Sequence, residues 1–291
     1  MAVTNRVVQG DCLDVLRAMP DASVDLVYVD PPFNTGRVQK RTRLRTVRDD
    51  EGGDRTGFAG RRYRTERVAV DEGFADRFDD YLAFLEPRLR EAHRVLAPTG
   101  SFYFHIDYRE VHYCKVLLDR IFGRASFLNE IIWAYDYGAR STRRWPAKHD
   151  NILFYAKDPD RYHFDLSEVD RIPYLAPGLV GPEKAARGKL PTDTWWHTIV
   201  SPTGKEKLGY PTQKPLGILR RIVRASCPPG GLVLDFFAGS GTAGAAALET
   251  GRRFVLVDAS DEAIRTMQRR FAGRDDVTFE PAATQPLSRA P

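Results

Sequence analysis

The apolar positions along the chain keep two periods. Val24–Val29 (VDLVYV) is a short β-branched run that stops at Asp30-Pro31-Pro32. It predicts a buried strand opening into a loop, because two successive prolines cannot continue a central strand. Leu13, Leu16 and Met19 stand at helical spacing just before it. Tyr81, Phe84, Leu85, Leu89, Ala92, Val95 and Leu96 predict a helix over 78–96, ended by Pro98-Thr99-Gly100. A strand at 101–106, a helix at 111–122 and strands at 129–135 and 151–155 follow. Leu216, Leu219, Ile222 and Val223 form the stripe of a helix over 215–226. Beyond it come a strand at 232–236, a helix at 242–250, a strand at 253–257 and a helix at 259–271. Strands that alternate with helices at both ends of a chain imply a mostly parallel sheet covered on both faces.

Two stretches break the pattern. Residues 37–70 hold eleven Arg or Lys against five Asp or Glu, a Gly-Gly pair and few apolar positions. This composition predicts a long mobile basic loop. Residues 158–209 mix prolines, glycines, aromatics and charges without a period and predict a small irregular lobe. Residues 281–291 are expected as a frayed tail.

Composition adds bounds rather than direction. A chain of 291 residues with 42% hydrophobic residues suffices for one large α/β domain with an inserted lobe. No apolar run reaches membrane-span length, and residues 1–10 lack the apolar stretch of a signal peptide, so a cytoplasmic location is expected. Cys12, Cys114 and Cys227 are odd in number and far apart, which suits small buried side chains in a reducing compartment. His105, His149 and His197 lack ligand spacing, and no metal is expected. The net charge of +5 is mild; its concentration in 37–70 says more than its size.

Asp235-Phe236-Phe237-Ala238-Gly239-Ser240-Gly241-Thr242 joins a predicted strand to a predicted helix. Glycine permits a tight turn and close ligand approach, and the helix N-terminus presents free N–H groups. Asp258 ends the next strand, nineteen residues after Gly239, where an acid can accept both hydroxyls of a ribose. Gly239, Gly241 and Gly244 also fit the dinucleotide pattern G-x-G-x-x-G. Only thirty-three residues follow Asp258, too few for the remaining strands of an ordinary dinucleotide domain. The rest of the sheet must therefore come from earlier in the chain.

Asp30-Pro31-Pro32-Phe33 closes the other predicted strand. An aromatic amino nitrogen is a poor nucleophile because its lone pair is delocalised into the ring. Two acceptors beside it, the Asp30 carboxylate and the Pro31 carbonyl, draw its hydrogens out of the base plane and free the lone pair. The two prolines fix the carbonyl direction, and Phe33 offers a stacking face worth about 1–3 kcal/mol. A base in a duplex reaches such a pocket only by leaving the stack.

With these residues the chain resembles the amino-methylating DNA methyltransferases of the β group, in which D-P-P-[YF] precedes the cofactor motif. The resemblance runs from about Val8 to Arg270 and includes Gly10-Asp11, VYVDPPFNTG at 27–36, NEIIW at 129–133, KHDNILFYAK at 148–157, YPTQKP at 210–215 and the loop at 235–242. Phe236 stands where the family more often has proline, Tyr210 where it has histidine, and Phe33 replaces the commoner tyrosine.

The resemblance implies a circularly permuted, Rossmann-like fold that binds S-adenosylmethionine. Residues 1–157 would form the catalytic half, 158–209 the target-recognition region and 210–280 the cofactor half. Asp30, Pro31, Pro32 and Phe33 would be catalytic. Asp11, Asp30, Asp235, Phe237, Ala238, Gly239, Ser240, Gly241, Thr242 and Asp258 would line the cofactor pocket, with Thr212, Gln213 and Lys214 at its methionine end. Duplex DNA would meet Arg37, Lys40, Arg41, Arg43 and Arg45 of the basic segment and Arg161, Arg171, Lys184, Arg187 and Lys189 of the lobe. Trp195 and Trp196 are expected in packing. A partner restriction endonuclease, a homodimer and a nucleoid-associated location follow from the same resemblance.

Adenine is favoured over cytosine because Ser-Pro-Pro is commoner in the cytosine enzymes. The same chemistry would serve RNA. A nicotinamide-dependent oxidoreductase would leave Asp30–Phe33 without a role, and a non-catalytic DNA-binding module would leave the intact Asp30 and Gly239-Ser240-Gly241 unexplained.

Overall fold

The computed structural model describes residues 5–34, 37–49, 51–52, 55–56, 62–76, 78–138, 140–201 and 204–282. Two compact units emerge: 1–33 together with 82–291, and 34–81. The larger unit contains β1 (Asn5–Gln9), α1 (Cys12–Ala18) and β2 (Val24–Val29). After the insertion come α2 (Tyr81–Val95), β6 (Leu96–Ile106), α3 (Val111–Phe122), β7 (Phe127–Ala134) and β8 (His149–Ala156). The chain continues with α4 (Pro182–Arg187), β9 (Thr194–Trp196), α5 (Leu216–Ser226), β10 (Leu232–Asp235), α6 (Thr242–Glu249), β11 (Arg253–Asp258), α7 (Asp261–Arg270) and β12 (Val277–Pro281).

Nine strands form one sheet in the order β12-β1-β11-β10-β2-β6-β8-β7-β9. The pairs from β12 through β6 are parallel, β8 runs antiparallel to β6 and β7, and β9 is parallel to β7. The runs of β2, β10 and β11 are almost wholly buried, as expected of parallel strands covered on both faces. The core joins Leu26, Val233 and Leu256 of these strands to Ile218 and Ile222 of α5 and Ala243 and Ala246 of α6. Cys12, Cys114 and Cys227 are free and buried.

The Asp30–Phe33 segment and the glycine loop at 235–242 meet at the centre of this sheet. Val233 and Leu234 of β10 pair with Leu26 and Val27 of β2. Because β1, β11, β10, β2 and β6 are parallel, their C-terminal ends share one edge. Asp11, Asp258, Asp235, Asp30 and Asp107 gather along it. The antiparallel β8 contributes its starting residues, His149 and Asp150, to the same edge.

Two expectations are corrected. Among the described residues, the basic stretch 37–70 is strand rather than irregular loop. β3 (Arg37–Arg48) and β5 (Arg62–Asp76) pair antiparallel from Arg37↔Asp76 to Arg48↔Tyr63, and β4 (Arg55–Thr56) adds to β5. Thr42, Leu44 and Thr46 alternate with Arg41, Arg43 and Arg45, a period of two that signals a strand beneath the charge. The side chains of Arg37, Lys40, Arg41, Arg43 and Arg45 lie outside the described residues' side-chain features.

Regular structure extends past the expected start of the frayed tail at residue 281. β12 runs through Pro281 in parallel pairing with β1, and the Ala282 N–H donates to the Gln9 carbonyl at 2.8 Å. The rest of the expected tail, 283–291, lies outside the described residues. Residues 158–209 are mostly irregular, with α4, β9 and a bridge between Ile172 and Lys189 as their regular pieces.

Candidate active site

Lys214 Nζ donates to Asp30 Oδ2 at 2.5 Å, and both side chains are largely buried. The other oxygen, Asp30 Oδ1, is buried and has no hydrogen-bond partner among the described residues. The Lys214 ammonium also stands 4.7 Å from the centre of the Phe33 ring. Pro31 is buried beside it. The lysine carbonyl accepts from Thr242 Oγ1 at 3.2 Å, so one residue ties the Asp30–Phe33 segment to the glycine loop.

Gly239 (φ 50°) and Gly241 (φ 74°) both adopt left-handed backbone, which favours glycine. Gly241 caps α6. A Cβ on Gly239 would stand 3.0 Å from the Tyr210 ring, so the tyrosine at the usual histidine position packs onto the loop. Ser240 Oγ and Thr242 Oγ1 lie 3.0 Å apart. Arg270 from α7 donates to the Ser240 carbonyl at 2.6 Å and to Thr242 Oγ1 at 3.3 Å. Burial lowers the Arg270 pKa to about 10. Gly244 serves packing: a Cβ there would meet Leu256 Cδ1 at 2.7 Å.

The carboxylates differ in their surroundings. Asp235 is 3% exposed and accepts from the Phe237 N–H at 3.1 Å. Burial raises its pKa well above the usual carboxylate value, the Phe237 N–H opposes this, and the charges of Asp30 and Asp258 add to it. Burial also raises Asp258, against hydrogen bonds from backbone N–H groups. Its Oδ2 accepts from Gly239 N at 2.8 Å and its Oδ1 from Ser260 N at 2.9 Å. The Ala259 N–H adds a third backbone hydrogen bond to this carboxyl, which leaves part of its acceptor capacity for a ligand hydroxyl.

Asp11 caps α1 through the Leu13 N–H at 2.7 Å and pairs with Arg88 at 2.9 Å. The Arg88 guanidinium lies 4.0 Å over Phe84, whose ring is 6.1 Å from Phe237. Thr212 is exposed, and Gln213 is committed to the backbone of Leu208 and Glu206. Phe236 is buried. Of the three residues assigned to the cofactor's methionine end, the structure thus brings Lys214 to Asp30.

A buried polar chain that the sequence reading missed runs beside Asp30. Tyr28 OH lies 2.7 Å from His105 Nδ1, His105 Nε2 lies 3.2 Å from Asp150 Oδ2, and Tyr135 OH donates to Asp150 Oδ1 at 3.0 Å. The His105 ring is 6.0 Å from Phe33 and 5.6 Å from Trp133. Burial opposes ionisation of Asp150, yet His105, Lys214 and Tyr135 together hold its pKa below the usual value. The signal for this chain was the buried run of β6 carrying a histidine, but its partners come from three other segments.

In the lobe, the Arg171 guanidinium reaches the Gly188 carbonyl at 3.4 Å, and Lys189 lies in the bridge to Ile172. Lys184 and Arg187 are exposed on α4, whereas Arg161 pairs with Asp158 at 2.6 Å. Trp195 is buried under Arg221. Trp196, expected in packing, is 71% exposed, because the edge strand β9 turns alternate residues outward. Among the described residues, no helix is long and apolar enough to cross a membrane.

A DNA methylase family model matches residues 24–269. The Type II methyltransferase M.HpaI of Haemophilus parainfluenzae is 28% identical over 94% of this chain and 77% of its own length. The DNA adenine methyltransferase YhdJ of Escherichia coli K12 is 29% identical over 91% of this chain and 82% of its own. Among solved structures, the cytosine-N4-specific PvuII DNA methyltransferase superposes with a TM-score of 0.63 at 18% identity, covering 94% of this chain and 89% of that one. The M1.HpyAVI–SAM complex gives 0.58 at 19% identity, covering 92% and 98%. At these identities the structures speak for the fold. The sequence match over most of the chain, on the sheet that joins Asp30 to the glycine loop, places this protein in the N6/N4 DNA methylase family.

Proposed function

We propose that this enzyme transfers a methyl group from S-adenosylmethionine to the exocyclic amino nitrogen of a base, adenine N6, in a specific sequence of duplex DNA. The observation that carries the reading is Asp30 Oδ1, a buried acceptor without a partner among the described residues, set one strand away from the glycine loop. A buried unpaired acceptor is costly, and an amino hydrogen of an inserted base would satisfy it.

The residues fit the cofactor. Asp30, Asp235 and Asp258 line the edge with carboxyl oxygens for the cofactor's polar groups, while burial and the neighbouring acids raise the Asp235 pKa and so disfavour its charge. Asp258 would take the ribose hydroxyls, Asp11 and Phe237 would flank the adenine, and Ala238–Thr242 would form the backbone cradle. When bound, S-adenosylmethionine supplies an electrophilic methyl on sulfur.

Asp30 Oδ1 and the Pro31 carbonyl would accept the two amino hydrogens, turning the nitrogen lone pair out of the base plane. Phe33 would stack on the base. Lys214 would anchor Asp30 through Oδ2 so that Oδ1 stays directed at the nitrogen. As the new N–C bond forms, the surplus proton on nitrogen would pass to Asp30 Oδ1 and then to water.

Adenine is supported by the aspartate at position 30 and by the relative named as an adenine methyltransferase. Cytosine N4 is the second reading, supported by the fold shared with the cytosine-N4-specific PvuII enzyme. The proposal extends to the basic strands and the lobe as DNA contacts. A cognate restriction endonuclease, a homodimer and a cytoplasmic, nucleoid-associated location rest on the family resemblance.

The test is methyl transfer from labelled S-adenosylmethionine to unmethylated genomic DNA, read by mass spectrometry after digestion to nucleosides. Label in N6-methyladenine is expected. Label on the cytosine amino group would keep the mechanism and change the base. No label, with S-adenosylhomocysteine still bound, would remove the reading.

A further inference from the structure

A second recess lies on the reactive edge, on the side of Asp30 away from the glycine loop. It is a cavity of 240 Å³ between the turn after β6 and the loop joining β7 to β8. Its lining includes Arg109, Tyr135, Arg140, Arg144, His149 and Asp150. Asp150 and Tyr135 belong to the polar chain through His105, whose ring adjoins Phe33. The cavity is therefore the neighbour of the segment that would receive the base.

The charges in this recess are unevenly satisfied. Arg109 pairs with Asp107, and Lys148 stands 3.7 Å from Asp136. Arg140 and Arg144 have no ion-pair partner among the described residues. The next residue, Trp145, is 95% exposed, and Tyr137 of the same loop is also exposed. Scattered exposed aromatics are ordinary. Here the exposed tryptophan follows Arg144 in the chain, in the same loop as Arg140, and both arginines line a cavity on the edge where the reaction would occur. Cations that track a backbone and an aromatic face for an unstacked base are the elements of nucleic-acid binding.

We propose that the β7–β8 loop is a DNA clamp, in which Arg140 and Arg144 hold phosphates flanking the extruded nucleotide and Trp145 stacks on an unpaired base. It rests on the methyltransferase reading and adds contacts separate from the basic strands and the lobe. Both arginines and the tryptophan are solvent-exposed, so substituting them leaves the core intact.

The test measures binding of the full-length protein to a fluorescent duplex of random sequence with one mispaired base, across about 50–200 mM salt. R140A/R144A is expected to reduce the slope of log affinity against log salt by about 2, since each phosphate contact contributes about 0.9. R140K/R144K should restore it. W145A should keep the slope and weaken binding about tenfold, with W145F largely retaining affinity. An unchanged slope in R140A/R144A, or wild-type affinity in W145A, would overturn the clamp. Methyl transfer by the wild type is measured in parallel: its absence would fail the methyltransferase reading, while the slopes would still judge the clamp.

Discussion

Lys214 holds one oxygen of Asp30 at 2.5 Å and leaves the other buried, without a partner among the described residues. The two residues are 184 positions apart in the chain. The pairing orients the carboxylate and offsets its charge in a largely buried place, so each partner depends on the other.

Removing the lysine should therefore harm more than cofactor affinity. K214M leaves the Asp30 charge without its cation, at a cost of about 3 kcal/mol in stability. It should lower kcat by about a hundredfold while S-adenosylhomocysteine still binds. Denaturant melts and single-turnover kinetics check both. Normal kcat with raised KM for S-adenosylmethionine would return Lys214 to the cofactor's methionine end.

Asp30→Ala should lose at least about a hundredfold in turnover, as expected for a group that handles the reacting proton. DNA and S-adenosylhomocysteine binding should persist. Near-wild-type turnover would remove Asp30 from the chemistry.

The glycines of the loop should separate by role. At Gly239 a valine would strain a left-handed backbone and press on Tyr210, so G239V should weaken S-adenosylhomocysteine binding more than tenfold, read by calorimetry. G244A should instead cost about 1–3 kcal/mol in stability, because its methyl meets Leu256 and Phe254, with cofactor affinity largely kept. Equal loss of affinity in both would assign Gly244 to the ligand.

His93 gives a pH dependence far from the site. Burial first, and Lys157 second, lower its pKa from 6.5 to about 4. Its ring meets Phe122 edge-on at 4.7 Å, and Lys157 Nζ lies 3.3 Å from Nδ1. The folded state binds the proton more weakly than the unfolded chain. The contribution to stability is thus complete above pH 6.5 and lost as pH falls toward 4. H93F keeps the ring contact and should flatten the fall of Tm over that interval by roughly a few degrees. An equally steep fall in the variant would place the acid sensitivity elsewhere.

Some of this protein was determined by the order of its residues alone. The apolar runs of β2 and β10 are hydrophobic enough to be buried on both faces wherever they lie, so their strands were legible. Asp30-Pro31-Pro32-Phe33 and Asp235–Thr242 each carry chemistry within a few consecutive positions, and so did not need the fold to be seen. The strands of the basic segment are written as an alternation of Thr and Leu with Arg, a period that the density of charge obscures.

Only the tertiary structure decided which distant groups meet. Parallel strands place their C-terminal ends on one edge whatever their separation in the chain, and this brings Asp258 to Gly239, while the segment leading into α5 brings Lys214 to Asp30. It also assembles Tyr28, His105, Asp150 and Tyr135 from four segments, and sets Arg140 and Arg144 at a cavity beside them. No local pattern encodes such contacts. They arise because burying the strands fixes the register of the sheet, and the register chooses the neighbours.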